Sequence, residues 1–182
     1  MKSINISSKR KKLDNIKKEF PGAQIIDVTS KATLPWQKFS PFFPVGNIPI
    51  PLSDGHFSQT IEGMWQGLKV FENHDIDLSR CNITNMKNIK RTVRKYGRVL
   101  GHKRGVEGTV LLTYIEARQQ IYVPAYNYVL EHFLTPEIEK LTQLLQEQDL
   151  VLLDYETNED ILNPRKPLSH ASLIAKFITK NY

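Results

Sequence analysis

Five of the chain's ten prolines, Pro35, Pro41, Pro44, Pro49 and Pro51, fall within residues 35–55, together with Gly46 and Gly55. A ring that fixes φ and removes an N–H donor cannot recur at this density inside a helix or a central strand. The window therefore reads as an ordered loop with room for one short strand. Its apolar residues Trp36, Phe39, Phe42 and Phe43 are too many for a free linker. The loop is expected to wrap over the core and to bring its polar end to the opening of the helix that follows.

That helix is read over Ser58–Phe71. Ser58 and Thr60 are capping residues, and Ile61, Met64, Trp65, Leu68 and Phe71 recur at three- and four-residue steps. Before the proline window, Pro21-Gly22 marks a turn and residues 23–30 read as a short strand. After the helix, 76–84 is an extended connection and Lys87–Lys95 resumes helical character. Residues 109–122 and 124–133 read as two helices divided by Pro124. Thr135-Pro136-Glu137 combines a cap, a proline at the first helical position and an acid in the first turn, so a helix runs from Pro136 to Glu147. Leu150-Val151-Leu152-Leu153-Asp154-Tyr155 is the clearest buried strand, and Leu168–Thr179 closes the chain as a helix. The result is an α+β fold, mostly helical with a few short strands. A single domain is expected over 21–182, with a basic extension over 1–20. At 182 residues the chain is long enough to bury a real core. The sequence has no glycine-rich phosphate loop after a strand, which argues against a Rossmann or Walker-type site.

Charge is unevenly distributed. Lys2, Lys9, Arg10, Lys11, Lys12, Lys17 and Lys18 stand against Asp14 alone in residues 1–18, which accounts for the whole formal net charge of +6. A second basic stretch, 87–104, holds Lys87, Lys90, Arg91, Arg94, Lys95, Arg98, Lys103 and Arg104 with no acid. Lys87, Arg91, Arg94 and Arg98 share one stripe if the helix reaches that far. This stretch fits either a phosphate-bearing ligand or a solvated face, and with 1–18 it fits a weak nucleic-acid contact. The single cysteine, Cys81, cannot close an internal disulfide, and the start of the chain lacks the apolar core of a secretory signal. Both features lead to a cytoplasmic expectation. No apolar run reaches membrane-spanning length, so no membrane contact is expected. The five histidines are scattered without ligand spacing, so neither a metal nor a cofactor is expected.

Glu62, Gln66 and Lys69 form a polar stripe on the helix over 58–71, at the same spacing as its apolar one. A carboxylate, an amide and an ammonium converging on one region suit a site. They equally suit a solvated ladder.

The spacing E-x-x-x-Q-x-x-K of Glu62, Gln66 and Lys69 resembles the signature helix of the NADAR superfamily, named for its association with NAD and ADP-ribose metabolism. Phe39-Ser40-Pro41-Phe42-Phe43 resembles the family's aromatic opening, and Gly97-Arg98 its short glycine-arginine motif. Leu134–Leu153 resembles its leucine-rich helix followed by a short apolar strand. The resemblance runs in order over about 39–175, and its glutamate helix is the specific part. Two positions depart from the pattern. Gly63 stands where the family usually has histidine, and Ile161-Leu162-Asn163-Pro164 follows Asp160 where a tryptophan-glycine pair is usual.

The resemblance implies a NADAR-like domain that hydrolyses a base–ribose N-glycosidic bond, on a riboflavin-pathway intermediate or on ADP-ribosylated guanine. Breaking that bond builds positive charge on the sugar, which a buried carboxylate stabilises while it positions water. Glu62 is the candidate for this role, with Asp160 or Asp154 as a second carboxylate. Gln66 would hold a ribose hydroxyl or the base edge. Lys69 and Arg98 would meet phosphate, and Trp65 or Phe39 would stack on a base. The implied partner is a phosphate-bearing nucleotide or ADP-ribose-type ligand. The alternatives are a nucleotide or ADP-ribose binder without chemistry and, ranked last, a nucleic-acid-binding module.

Overall fold

A computed structural model describes residues 2–180. The chain forms two compact units: Pro41–Val129 is one, and the segments on either side of it make the other. In chain order, β1 (Ile4–Ser8), α1 (Leu13–Glu19) and β2 (Gln24–Asp27) precede the inserted unit, with a 3-10 turn at Trp36–Phe39. The inserted unit holds β3 (Ile48–Pro49), β4 (Phe57–Ser58), α2 (Ile61–Gly67), β5 (Lys69–Phe71) and a 3-10 turn, Leu78–Asn82. It continues with α3 (Val93–Tyr96), β6 (Val99–Lys103), β7 (Leu111–Leu112) and α4 (Tyr114–Ala117). A π-helical segment, Arg118–Tyr122, then leads into α5 (Val123–His132). Helix α6 (Thr135–Glu147), β8 (Leu150–Asp154) and α7 (His170–Lys180) complete the chain. Helices and several short strands in small sheets make this an α+β fold.

The outer unit is built around β8. All five of its residues are buried, and it pairs in parallel with β1 on one side and β2 on the other. A parallel strand covered on both faces must be apolar at consecutive positions, which is why Leu150–Leu153 shows no alternation. Alternate side chains still go to opposite faces, and Val151 and Leu153 pack with Ile16 of α1 and with Phe20 and Ile25. Residues 1–20 are therefore not a basic extension: they supply β1 and α1. Three of their basic side chains are also engaged, with Lys9 Nζ 2.7 Å from Asp27 Oδ2, Lys11 on Glu19, and Arg10 on the Tyr155 carbonyl.

The inserted unit carries an antiparallel β5–β6–β7 sheet and the β3–β4 pair formed by the proline window. Helix α2 is two turns long, shorter than the expected 58–71. Thr60 caps it, its Oγ1 accepting from Gly63 N at 2.8 Å. After Gly67 and Leu68 the chain straightens into β5, where β-branched Val70 and its neighbours pair with β6. The proline window meets the helix as expected, since Glu62 N donates to the Pro41 carbonyl at 2.8 Å and one free first-turn N–H is satisfied. The helix expected over 87–95 is confined to Val93–Tyr96. Arg91 N donates to the Gln66 side chain instead of to a helical carbonyl, so the basic stripe does not form.

Gly63 is fixed by the packing around α2. The 3-10 turn Leu78–Asn82 packs directly on α2, and a Cβ at position 63 would lie 2.6 Å from the Arg80 carbonyl oxygen and 2.7 Å from Thr60 Oγ1. No histidine fits there. Cys81, on the same turn, is buried with its Sγ 3.8 Å from the Gly63 carbonyl.

Pro124 does not divide two helices. Helix α4 starts at a capping box in which Thr113 and Glu116 satisfy each other's backbone N–H groups, and it runs through the π segment into α5. A π widening just before the proline moves the preceding carbonyls out of line with its ring, so the helix absorbs it.

Candidate functional site

The polar stripe of α2 is a connected, largely buried line of side chains. Gln66 Nε2 donates to Glu62 Oε1 at 2.9 Å. The Gln66 Oε1 atom accepts from Arg91 N at 3.0 Å and lies 3.4 Å from Lys69 Nζ. The Arg91 N–H can only donate, so it fixes which end of the Gln66 amide is oxygen and turns the NH2 group toward Glu62.

Arg91 itself is a clamp. Its Nη1 donates to the Lys69 carbonyl at 2.6 Å and to the Gln66 carbonyl at 3.3 Å, and Nη2 donates to the Asp75 carbonyl at 2.7 Å. Its guanidinium lies 4.7 Å from the Phe71 ring centroid and 4.9 Å from that of Tyr96. A planar fork with five donors suits three converging carbonyls, and the charge is used to hold the end of α2 against β5.

Burial pushes the Glu62 carboxyl above the usual glutamate range, an effect moderated by the Gln66 hydrogen bond and by the charges of Lys90 and Lys69. Burial pulls the Lys69 ammonium down; Glu62 opposes that shift, while Arg91 and Lys90 add to it. Each group is thus brought nearer to neutral pH than it would be in water.

Lys69 and His102 are paired across the β5–β6 ladder, so their side chains share one face. His102 is 1% exposed, and neither ring nitrogen has a partner among the described residues. Burial and the nearby Lys69 lower its pKa to about 3, so the ring is neutral. Trp65 lies over it with ring centroids 3.8 Å apart, and Tyr114 and Tyr122 meet the indole edge-on at 5.9 and 5.6 Å. One indole face is therefore already covered. A pocket of about 310 Å³ opens beside this stack, lined by Lys69, Val99, Leu100, Gly101, His102 and Tyr114.

Of the residues singled out in the sequence, Glu62, Trp65, Gln66 and Lys69 come together on α2 and the start of β5. Phe39, Asp154 and Asp160 belong to the outer unit, and Arg98 to the inserted one. Phe39 is fully buried in the outer unit, stacked on Trp36 at 6.2 Å, and has no ring face left for a base. Asp154 also lies in the outer unit. Its Oδ2 accepts from Ser169 Oγ at 2.8 Å and Ala171 N at 3.3 Å and pairs with His170 Nδ1 at 2.9 Å. Asp160 is an exposed turn residue whose carboxylate accepts from Leu162 N at 2.8 Å. Arg98 has a 76% exposed side chain and pairs with Glu72 at 3.2 Å. Asp154, Asp160 and Arg98 thus each have partners within their own unit.

Arg91, His102 and Tyr114 were not picked out as site residues from the sequence. Arg91 read as one charge among eight, and nothing in chain order marks it as the residue whose main-chain N–H orients Gln66. His102 and Tyr114 reach the site through the β5–β6 pairing and the turn after β7. Among the described residues no group of three or more His, Cys, Asp or Glu side chains is placed to hold a metal ion, and no helix is long and apolar enough to cross a membrane.

No curated protein matches the chain. A family model does, over residues 8–174, a span that takes in the α2 network, the pocket and strands β2 and β8. The chain accordingly belongs to DUF6939, a family of unknown function.

Proposed function

We propose that this protein hydrolyses a base–ribose N-glycosidic bond in a phosphate-bearing nucleotide or ADP-ribose derivative, with Glu62 as the catalytic carboxylate. The observation that carries this reading is the buried Glu62. One of its oxygens is held by Gln66, and the other has no protein partner among the described residues. As the bond to the base breaks, positive charge develops at ribose C1′, and a fixed carboxylate in a water-poor setting stabilises it far better than bulk water does. The same carboxylate takes the proton of the attacking water, and its upward shift suits a base working near neutral pH. Gln66 holds Glu62 in place and Arg91 holds Gln66. Lys90 supplies positive charge near Glu62 for the substrate's phosphate.

Glu62→Gln tests the reading, because it removes the charge and keeps the shape. Guanine- and nicotinamide-bearing nucleotides and their ADP-ribose counterparts are incubated with each protein, and the released base is measured by chromatography. Turnover should fall by about a thousandfold while ligand binding is retained. Undiminished hydrolysis by the variant would remove Glu62 from the mechanism. Gly63, which leaves no histidine beside Glu62, favours a second reading as a nucleotide binder without chemistry. Saturable binding by calorimetry, with no base released by the wild-type protein over hours, would select it.

A further inference from the structure

The pocket beside Lys69 has a composition that says which part of a substrate it takes. Val99 and Leu100 make it apolar. At about 310 Å³ it is at the lower end for ligand pockets, suited to one ring system and too small for a dinucleotide. No carboxylate lines it. Three of its side chains carry exchangeable protons. The His102 nitrogens are buried away from the surface, and Tyr114 Oη accepts from Arg118 Nη2 at 2.9 Å and keeps its own proton. Lys69 is the one joined to the carboxylate, an ammonium whose other neighbour is the Gln66 amide that also holds Glu62. A group in the pocket thus touches Lys69 on one side while Glu62 stands one side chain further on.

We propose that this pocket holds the base and that Lys69 is the general acid that protonates it as the glycosidic bond breaks. This rests on the assignment of Glu62 above. In the step, the C1′–N bond cleaves and its electron pair stays with the base. One Nζ proton passes to an acceptor nitrogen or oxygen of the base, which leaves neutral. Water adds to C1′ and gives its proton to Glu62, and exchange through solvent returns that proton to Lys69. Net, one water is consumed and the free base and the ribose hydroxyl are formed. Burial favours this role, since a lysine drawn below its ordinary range is a better acid at neutral pH. The substrate class follows: bases that would otherwise depart as anions, purines and lactam heterocycles, and not pyridinium groups, which leave neutral unaided.

The test compares leaving groups on one sugar. Guanosine monophosphate is set against nicotinamide mononucleotide, and ADP-ribosyl-guanine against NAD, for the wild type, Lys69→Met and Lys69→Arg. Arginine keeps the charge but does not release a proton, and it stands in if the methionine variant fails to fold by circular dichroism. Both variants should lose about 10²–10⁴-fold in guanine release and stay within about threefold in nicotinamide release. Equal losses on both leaving groups, or full guanine release by Lys69→Arg, would overturn the assignment. Wild-type hydrolysis that is lost in Glu62→Gln and unchanged in both Lys69 variants would overturn it alone. No hydrolysis of any of the four by the wild type would overturn the Glu62 reading and this one with it.

Discussion

Replacing Asp154 with asparagine should destabilise the outer unit by about 3–5 kcal/mol, the cost of leaving one member of a buried ion pair without its partner. Asp154 and His170 are 4% and 7% exposed, so solvent does not screen them. The His170 ring has an acceptor at each nitrogen, Asp154 Oδ2 at 2.9 Å from Nδ1 and the Val28 carbonyl at 2.9 Å from Nε2, so both nitrogens donate and the ring is cationic. Asparagine presents one oxygen and one NH2 group to Ser169 Oγ, Ala171 N, His170 and Tyr155 N, all of which now donate to the carboxylate. Some donors would face a donor.

The pH dependence has two limbs. Burial works against both charges, but His170 holds the Asp154 carboxyl below its ordinary 3.8, and Asp154 holds the imidazole above its ordinary 6.5. The Asp154 contribution is present above pH 3.8 and is lost as pH falls through the lower folded value. The His170 contribution is complete below pH 6.5 and is lost as pH rises through the higher folded value. The gap between wild type and Asp154→Asn should therefore be widest between about pH 4 and 6.5 and should narrow on either side. Urea unfolding at a series of pH values measures it. With a slope of about 2 kcal/mol per molar urea, the midpoint should drop by about 2 M at pH 5.5. A loss under about 1 kcal/mol, the size of an exposed pair, or a gap constant from pH 5 to pH 9, would refute the reasoning.

Two further variants probe the inserted unit. Gly63→Ala would ordinarily gain about 1 kcal/mol in a helix, but its Cβ would meet the Arg80 carbonyl oxygen at 2.6 Å, and a net loss of about 1–3 kcal/mol is expected. A thermal melt checks this, and a raised Tm would show that the 3-10 turn gives way. Arg98→Ala should leave stability within about 0.5 kcal/mol and base release unchanged, because its side chain is 76% exposed on Glu72. A loss of nucleotide affinity in that variant would return Arg98 to the binding machinery.

Much of the local structure is legible in the sequence. Pro136 and Glu137 lie in the first turn of α6, Leu150–Asp154 is a strand, and the stripe of Glu62, Gln66 and Lys69 is one connected feature, because proline placement and periodicity act over a few residues; Thr135, however, sits inside the helix and does not cap it. The readings that failed depended on distant partners. Lys87–Lys95 has helical composition, but a Gln66 side chain takes the Arg91 N–H. Phe39 and Trp65 are both aromatic, yet one is sealed on Trp36 and the other is covered on one face by a histidine from β6.

What the sequence determined by itself is that Leu150–Asp154 is a buried strand and that a helix starts beside Pro136. It also determined that 35–55 cannot be helical, since proline acts on its own φ and N–H. Only the tertiary structure decided that β8 enters between β1 and β2, about 146 positions from its first partner. It likewise decided which charges are used up. Arg91 on three carbonyls, Arg98 on Glu72 and Asp154 on His170 are ordinary ions in the chain, and pairing in space leaves Lys69 as the charge that lines the pocket, one side chain from Glu62. Electrostatic roles depend on burial and on neighbours in space, and neither is written in local order.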